Sequence, residues 1–411
     1  MSEGLYRIGA KAIEVISPLL LPLWVRDRGE REERLGRWGD RIPGGVVWMH
    51  AASAGETEGA EPIAREIRRA APEAPILITS MTRAGRRRAG GIEGIHGRFV
   101  PVDTEGAVRR ALEATRPRLL LLIETEIWPN LIRVATENGV PVALANGRIS
   151  RPAFRRMRAA RPLYRAALGR IRLFGVQRET DRERFLRLGA PEDRLFVHGN
   201  TKMDTDPPDP PDPGVRGGPE ERWVVFGSVR DGEEEAVLGA IRALLARDDR
   251  IRVAVAPRHP DESRPYRRAT EIPWRLWSEK PGAGARAILI DTVGDLLSFY
   301  GIADVAFVGG SLSRHGGHNP IEPARFGVPV LIGPHRENCA EAANLLLDAG
   351  GAREIRSGEE LAIAAAAWLD DPEERARRGR AARGAVEANR GAAAALVRRL
   401  VQEGLLGRGE G

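Results

Sequence analysis

"GVVWMHAASAGETEGAEPIAREIRRA", Gly45 to Ala70, is the stretch on which the fold turns. An apolar run from Gly45 to Met49 stops at His50 among small residues and carboxylates, and from Glu58 onward the apolar positions recur at helical spacing. A buried strand that turns straight into a helix is half of a β-α-β unit. The turn also places Glu56 near a helix start, beside backbone N–H groups that have no partner inside the helix. Such a place suits either an anion or a carboxylate aimed as a base.

The same alternation continues outward. Candidate strands follow in "PILITS", "GRFVPV", "RLLLLIE", "PVALAN", "LFGVQ" and "LFVHG", with helical patterns such as "EGAVRRALEAT" and "NLIRVATENG" between them. This order predicts a parallel sheet with helices on both faces. Then "DTDPPDPPDPGVRGGPE", Asp204 to Glu220, interrupts it: proline at that density neither feeds a ladder nor continues a helix. After it the pattern restarts with "RWVVFGS", a helix from Glu233 to Leu245, "IRVAVAP", "RAILID", a short helix "GDLLSFYGI", "VAFVGG" and "PVLIG". The prediction is an α/β chain of two doubly wound, Rossmann-like domains whose sheets face an inter-domain cleft. The expected boundaries are 1–30 for an N-terminal segment, 31–205, a linker at 206–219, and 220–411, with C-terminal helices free to cross back. No G-x-G-x-x-G follows the first strand of either half, which argues against a dinucleotide enzyme.

With 411 residues the chain is long enough for two cores, and no apolar run reaches membrane-span length. The single cysteine, Cys339, excludes an intrachain disulfide. A net charge of +7 favours anionic partners, yet the arginines are interspersed with acids in "DRGEREERLGRWGDR" and "RETDRERFLRLG", so nucleic acid is not expected. The histidines are not spaced as a ligand set, so neither metal nor cofactor is expected. From Ala12 to Val25 an apolar segment broken by Pro18 and Pro22 precedes a charged run. Composition leaves two readings of it, a segment lying in a membrane interface and a helix packed on its own domain.

The densest chemistry lies in "VAFVGGSLSRHGGHNPIEPARFGVPVLIGP", Val305 to Pro334. Its glycine pairs permit close backbone approach to a ligand, and the helix opening near Asn319 and Pro320 suits a phosphate. Glu322 in that first turn is placed to accept from ribose hydroxyls. Three other strand ends point to the same edge: Ser228 and Arg230, Arg258 with His259, and Gly294 with Asp295.

These residues resemble a known family. His50, Ser53, Gly55 and Glu56 ("HxxSxGE"), "ETEIWPN" (Glu124 to Asn130), "GNTKMD" (Gly199 to Asp204), "PRHP" and "GGHNPIEPA" look like the Kdo transferases, which move 3-deoxy-D-manno-octulosonic acid (Kdo) from CMP-Kdo to a lipid A precursor at the Gram-negative inner membrane. The likeness runs from the N-terminal segment to about residue 350. It implies a GT-B fold, an inverting transfer, and an acceptor on the first domain with the CMP-sugar mainly on the second. By position Glu56 resembles the catalytic base, while Glu124 and Lys202 resemble the groups that stabilise the transition state. If "IETE" continues its strand, Glu124 and Glu126 point to opposite sides, and family position favours Glu124. Ser228, Arg230, Pro257, Arg258, Val293, Gly294, Asp295, Gly317, Asn319, Pro320, Ile321 and Glu322 resemble the donor-binding segments. His50, Ser53, Gly55, Thr82 and Arg83 fall on the acceptor side. The resemblance also implies peripheral attachment at the cytoplasmic face of the inner membrane through the N-terminal segment. Two segments depart from the family: Ser228-Val229-Arg230-Asp231-Gly232-Glu233 stands where the family has Ser-Thr-His-Glu-Gly-Glu, and Thr82-Arg83-Ala84-Gly85 lacks one hydroxyl. An alternative is a GT-B transferase or epimerase acting on another nucleotide sugar.

Overall fold

The computed structural model describes residues 3–39, 42–204 and 211–407. The chain forms two compact units, Met1–Asp206 together with Asn389–Gly411, and Pro207–Ala388. Part of the expected linker, 206–210, lies outside the described residues.

The first unit holds a seven-stranded parallel sheet. Its strands are β1 (Val47–His50), β2 (Ile76–Ser80), β3 (Ile95–Phe99), β4 (Leu119–Ile123), β5 (Val142–Gly147), β6 (Leu173–Val176) and β7 (Leu195–Val197), in the order β3-β2-β1-β4-β5-β6-β7. Successive residues supply opposite faces: Trp48, Leu120 and Leu122 enter one core, Val47, Met49, Leu119 and Leu121 the other. Both faces are therefore dry, and the strands read as continuous apolar runs. The order reverses between β1 and β4, the crevice where such sheets take ligands.

The second unit repeats the plan with β8 (Arg222–Val229), β9 (Ile251–Pro257), β10 (Trp274–Leu276), β11 (Ala287–Leu289), β12 (Val305–Val308), β13 (Val330–Ile332) and β14 (Ala352–Glu354), ordered β10-β11-β9-β8-β12-β13-β14 and all parallel. Its reversal lies between β8 and β12.

Two expectations are corrected. The strand read at "GRFVPV" runs two residues earlier, Ile95–Phe99, because Pro101 has no N–H for the ladder. The edge strands β10 and β14 escaped notice: "WRL" and "ARE" carry too little apolar pattern, and pairing alone makes them strands. The C-terminal crossing that the sequence reading left open does occur, and the second unit ends at Ala388. The helix Ala392–Gln402 crosses back and inserts Leu396, Val397 and Leu400 into the core beneath β1. The Asp204 carboxylate accepts from Gly391 N and Ala393 N at 2.5 and 2.6 Å, which fixes the start of that helix.

The N-terminal helix, Glu3–Trp24, contains both Pro18 and Pro22. Ala10 and Ser17 are buried against its own unit, while Leu5, Ile8, Ile13, Val15, Ile16, Leu23 and Trp24 are exposed. The packed-helix reading thus holds for the face that carries Ala10 and Ser17. Among the described residues no helix is long and apolar enough to cross a membrane.

Candidate active site

At the switch point of the first unit, β1 ends in His50 and passes through Ala51-Ala52-Ser53 into the helix Ala54–Ala70. Ser53 caps that helix, its Oγ accepting from Glu56 N at 3.3 Å. The Glu56 carboxylate turns back to accept from Ala52 N, and from Ser53 N at 3.3 Å. This is a capping box, so the structural role that any first-turn glutamate plays is present. Its electrostatics, however, are not those of a cap. Burial, then repulsion by Glu126 and Glu124, pushes the Glu56 pKa up to about 7 despite the two N–H donors. A carboxyl that changes charge near neutrality is matched to proton transfer.

The two repelling carboxylates do not fall on opposite sides of a strand. β4 stops at Ile123, and Glu124 takes φ +58°, the left-handed region a glutamate seldom occupies. That turn brings both Glu124 and Glu126 to bear on Glu56. Lys202 Nζ donates to Glu124 Oε1 at 2.7 Å. Lys202 is delivered by Thr201, whose N–H bonds Asn146 Oδ1 at 3.1 Å and whose hydroxyl donates to Gly59 O at 2.7 Å. Asn146 is the last residue but one of β5, with φ +54°.

A Cβ on Gly59 would stand 3.1 Å from Asn146 Nδ2 and 3.4 Å from Lys202 Cε. Gly59→Ala is therefore expected to push Lys202 off Glu124. Helix propensity gains about 1 kcal/mol and crowding costs about 1–3 kcal/mol. The expected result is a melting temperature within a few degrees of wild type and turnover reduced roughly tenfold; kcat and a thermal melt of the variant check it.

His50 is fully buried and touches protein neighbours only. Nδ1 lies 3.1 Å from Thr79 Oγ1 and Nε2 lies 3.5 Å from Glu126 Oε2, and the ring stands edge-on to Trp128, centroids 4.9 Å apart. Trp128 Nε1 also donates to Glu126 at 2.7 Å. Burial works against ionisation of Glu126, but His50 and Trp128 hold its pKa below the usual carboxylate value. Gly55 is exposed beside Glu56. Thr82 caps the next helix through Gly85 N at 3.0 Å, and Arg83 donates to Glu30 Oε2 at 2.8 Å. Arg83 borders a cleft of about 770 Å³ lined by Arg26, Arg86 and Arg87 and by Asp27, Glu30 and Glu33, with Arg83 paired to Glu30 and Arg86 to Glu33.

In the second unit, β8 and β12 end side by side. Ser228 has φ +55°, and a Cβ on Gly309 would fall 2.5 Å from Ser228 O, so only glycine fits there. The following loop is gathered by Glu233. Fully buried, its carboxylate accepts from Arg230 N (2.9 Å), Gly310 N (2.7 Å), Ser311 N (2.8 Å), Leu312 N (2.7 Å) and Ser313 N (3.3 Å). Gly317 N donates back to Gly310 O at 2.7 Å, closing the turn. Cations converge on it. Burial, then Arg258, Arg230, His315 and His259, depresses the His318 pKa to about 4, and its Nε2 is buried without a partner. Arg230 lies 3.4 Å from Glu262. Arg258, just past Pro257, is exposed, its N–H held by Val229 O at 2.8 Å.

Gly294 has φ +102°, Val293 is exposed, and Asp295 accepts from Thr292 Oγ1. The helix they open, Leu296–Ile302, packs Tyr300 so that its Oη is 1.9 Å from where a Gly227 Cβ would stand. Burial, then Glu322, raises the Tyr300 pKa well above that of a free phenol, which places Glu322 in the same neighbourhood. Asn319 Oδ1 accepts from Ile321 N at 3.1 Å beside Pro320. The donor-segment residues thus follow the carboxyl ends of β8, β9, β11 and β12 in one parallel sheet. Sequence reading passed over Glu126, Trp128, Asn146 and Glu233. Of these, only the paired acids of "ETE" and the Asn-Gly that closes β5 offered a local signal.

A family model described as 3-deoxy-D-manno-octulosonic-acid transferase (kdotransferase) matches residues 29–205. The chain is 32% identical to the 3-deoxy-D-manno-octulosonic acid transferase of Haemophilus influenzae over 90% of its own length and 91% of the relative's. To the Bordetella pertussis protein of the same name it is 32% identical, covering 95% and 97%. Among solved structures it resembles the UDP-GlcNAc 2-epimerase of Neisseria meningitidis bound to UDP-GlcNAc, with a TM-score of 0.60 and 14% identity over 87% of this chain and 100% of that one. A spinosyn rhamnosyltransferase complexed with spinosyn aglycone gives a TM-score of 0.53 at 16% identity, over 86% and 100%. These likenesses establish the GT-B fold and nothing finer.

Proposed function

The chain belongs to the Kdo transferases, glycosyltransferases of lipopolysaccharide biosynthesis, and from that premise we propose that it transfers Kdo from CMP-Kdo to a lipid A precursor with inversion at the anomeric carbon. The observation that carries this reading is the Glu56 carboxyl, poised near pH 7 within reach of the charges of Glu124 and Glu126. As a base it takes the proton of the acceptor hydroxyl while that oxygen bonds to the anomeric carbon. The bond from that carbon to the CMP phosphate oxygen breaks, and its electron pair leaves with CMP. Glu124 supports positive charge growing on the sugar, and Lys202 holds Glu124 in place.

Arg230 and Arg258 meet the phosphate as its charge grows. His318, neutral with a pKa of about 4, contributes a hydrogen bond rather than a charge. Glu322 takes the ribose. The exposed apolar row of the N-terminal helix is read as lying on the cytoplasmic face of the inner membrane, with Trp24 and Arg26 at headgroup level. In the cleft beside it Glu30 and Glu33 pair with Arg83 and Arg86, and Arg26 and Arg87 are read as meeting the acceptor phosphates.

Incubating the protein with CMP-Kdo and a lipid A precursor in anionic vesicles should release CMP and add the mass of Kdo to the lipid, while UDP-sugars give neither. Turnover of a UDP-sugar with no product from CMP-Kdo would favour the epimerase or another transferase. In the same vesicles Leu23→Ser with Trp24→Ser should lower flotation with the lipid; unchanged flotation would remove the helix from the membrane reading.

A further inference from the structure

The segment Glu124 to Trp128 carries the two carboxylates that act on Glu56, and it leads directly into the helix Pro129–Glu137. That helix lacks a cap of its own, because Trp128 occupies the N-cap position and offers no acceptor. Asp103, which follows β3, serves instead. Its carboxylate accepts from Leu131 N at 2.7 Å and Asn130 N at 3.2 Å, and its carbonyl accepts from Asn130 Nδ2 at 2.8 Å. The remaining donor to Asp103 comes from the N-terminal helix: Tyr6 Oη at 2.6 Å.

Packing does not duplicate this tie. Ile127 and Trp128 pack on the apolar core on one side, and on the other Tyr6, Asp103, Ile127, Trp128 and Tyr164 line a cavity of about 350 Å³, where hydrogen bonds do the holding. From Trp128 the contacts run on to Glu126 and His50. The helix that supplies Tyr6 sits closely on its unit elsewhere, since a Cβ on Gly106 would be 1.8 Å from Glu14 Oε1. Its other side carries the exposed apolar row.

We propose that Tyr6 and Asp103 are positioning residues that tie the seating of the N-terminal helix to the placement of Glu126 and Trp128 beside Glu56. The proposal rests on Glu56 being the base. It makes the outward-facing helix part of the catalytic apparatus: whatever surface presses the helix onto its unit also firms the carboxylate cluster.

The test is Tyr6→Phe in the full-length protein, which removes one donor to a buried carboxylate and no ring packing. Amide exchange at Asn130 and Leu131 should quicken. Turnover should fall roughly tenfold, the effect of one hydrogen bond to a charged group, with KM for CMP-Kdo unchanged. The acid limb of the kcat profile should move to lower pH, because carboxylates that drift from Glu56 repel its charge less. Asp103→Asn should act in the same direction, and Glu3→Gln, which removes the contact of the same helix with Arg170 and leaves the bond from Tyr6 to Asp103, should do none of this. Unchanged exchange with turnover within twofold of wild type would overturn the proposal. So would a loss of turnover that follows a fall in melting temperature with the acid limb in place. Exchange reads the tie directly, so it decides the proposal even if Glu56→Gln were to keep full activity, a result that would remove the base and not the tie.

Discussion

Glu56→Gln should lower turnover by roughly 10²–10⁴, the range of a positioned general base, with binding of CMP-Kdo near wild type. Glutamine keeps the length of the side chain, and its carbonyl can still accept from Ala52 N, so the helix start survives. What goes is the site that receives a proton. In the wild type, turnover should fall as pH drops through about 7, where the carboxyl takes up a proton and can no longer serve; the variant should lose that limb. Stability should change in the opposite sense. The folded pKa stands above the unfolded value, so Glu56 favours the fold at low pH and that contribution is lost as pH rises through about 7. At pH 8 the variant should therefore be the more stable protein, by on the order of 1–3 kcal/mol, and near pH 4 the two should melt together. Paired kcat profiles and thermal melts at the two pH values measure both halves. A variant with wild-type turnover would remove Glu56 from the chemistry.

Glu233→Ala should be the most damaging change in the second unit. Four N–H groups at 2.9 Å or less, and a fifth at 3.3 Å, converge on this carboxylate. Each buried donor left without a partner costs about 1–3 kcal/mol, less where water enters the space. Even with water the sum is several kcal/mol of a total near 5–15 kcal/mol. For a unit of this size the melting temperature should fall by roughly 10 °C. The Gly309–Ser313 turn should lose its shape, and with it donor binding. Calorimetry and titration with CMP check the two consequences. Donor affinity within twofold of wild type would show that the turn keeps its form without the carboxylate.

These two residues also mark how far sequence carried the reading. Alternating apolar runs revealed both sheets, because strands covered on both faces need no polar positions. Glu56 was visible because its helix start, its small neighbours and its motif are all local. Glu233 was not: it looks like one more acid in "RDGEEE", and its partners lie near residue 310, a separation that no periodicity reports. Asp103 and Tyr6 are hidden for the same reason. The side chosen for Glu126 failed differently. Alternation along a strand assumes φ below zero, and at Glu124 a non-glycine residue breaks that assumption.

The return of residues 389–411 to the first unit has a bearing on how the protein is made. Leu396, Val397 and Leu400 cover apolar side chains such as Ile63 and Ile67 on the helix Ala54–Ala70. A nascent chain that has emerged only as far as the proline-rich segment therefore carries a bare greasy seat. Its first half can be finished only after the segment around Leu396 to Leu400 has emerged, and until then the gap is open to chaperones or to another unfinished copy.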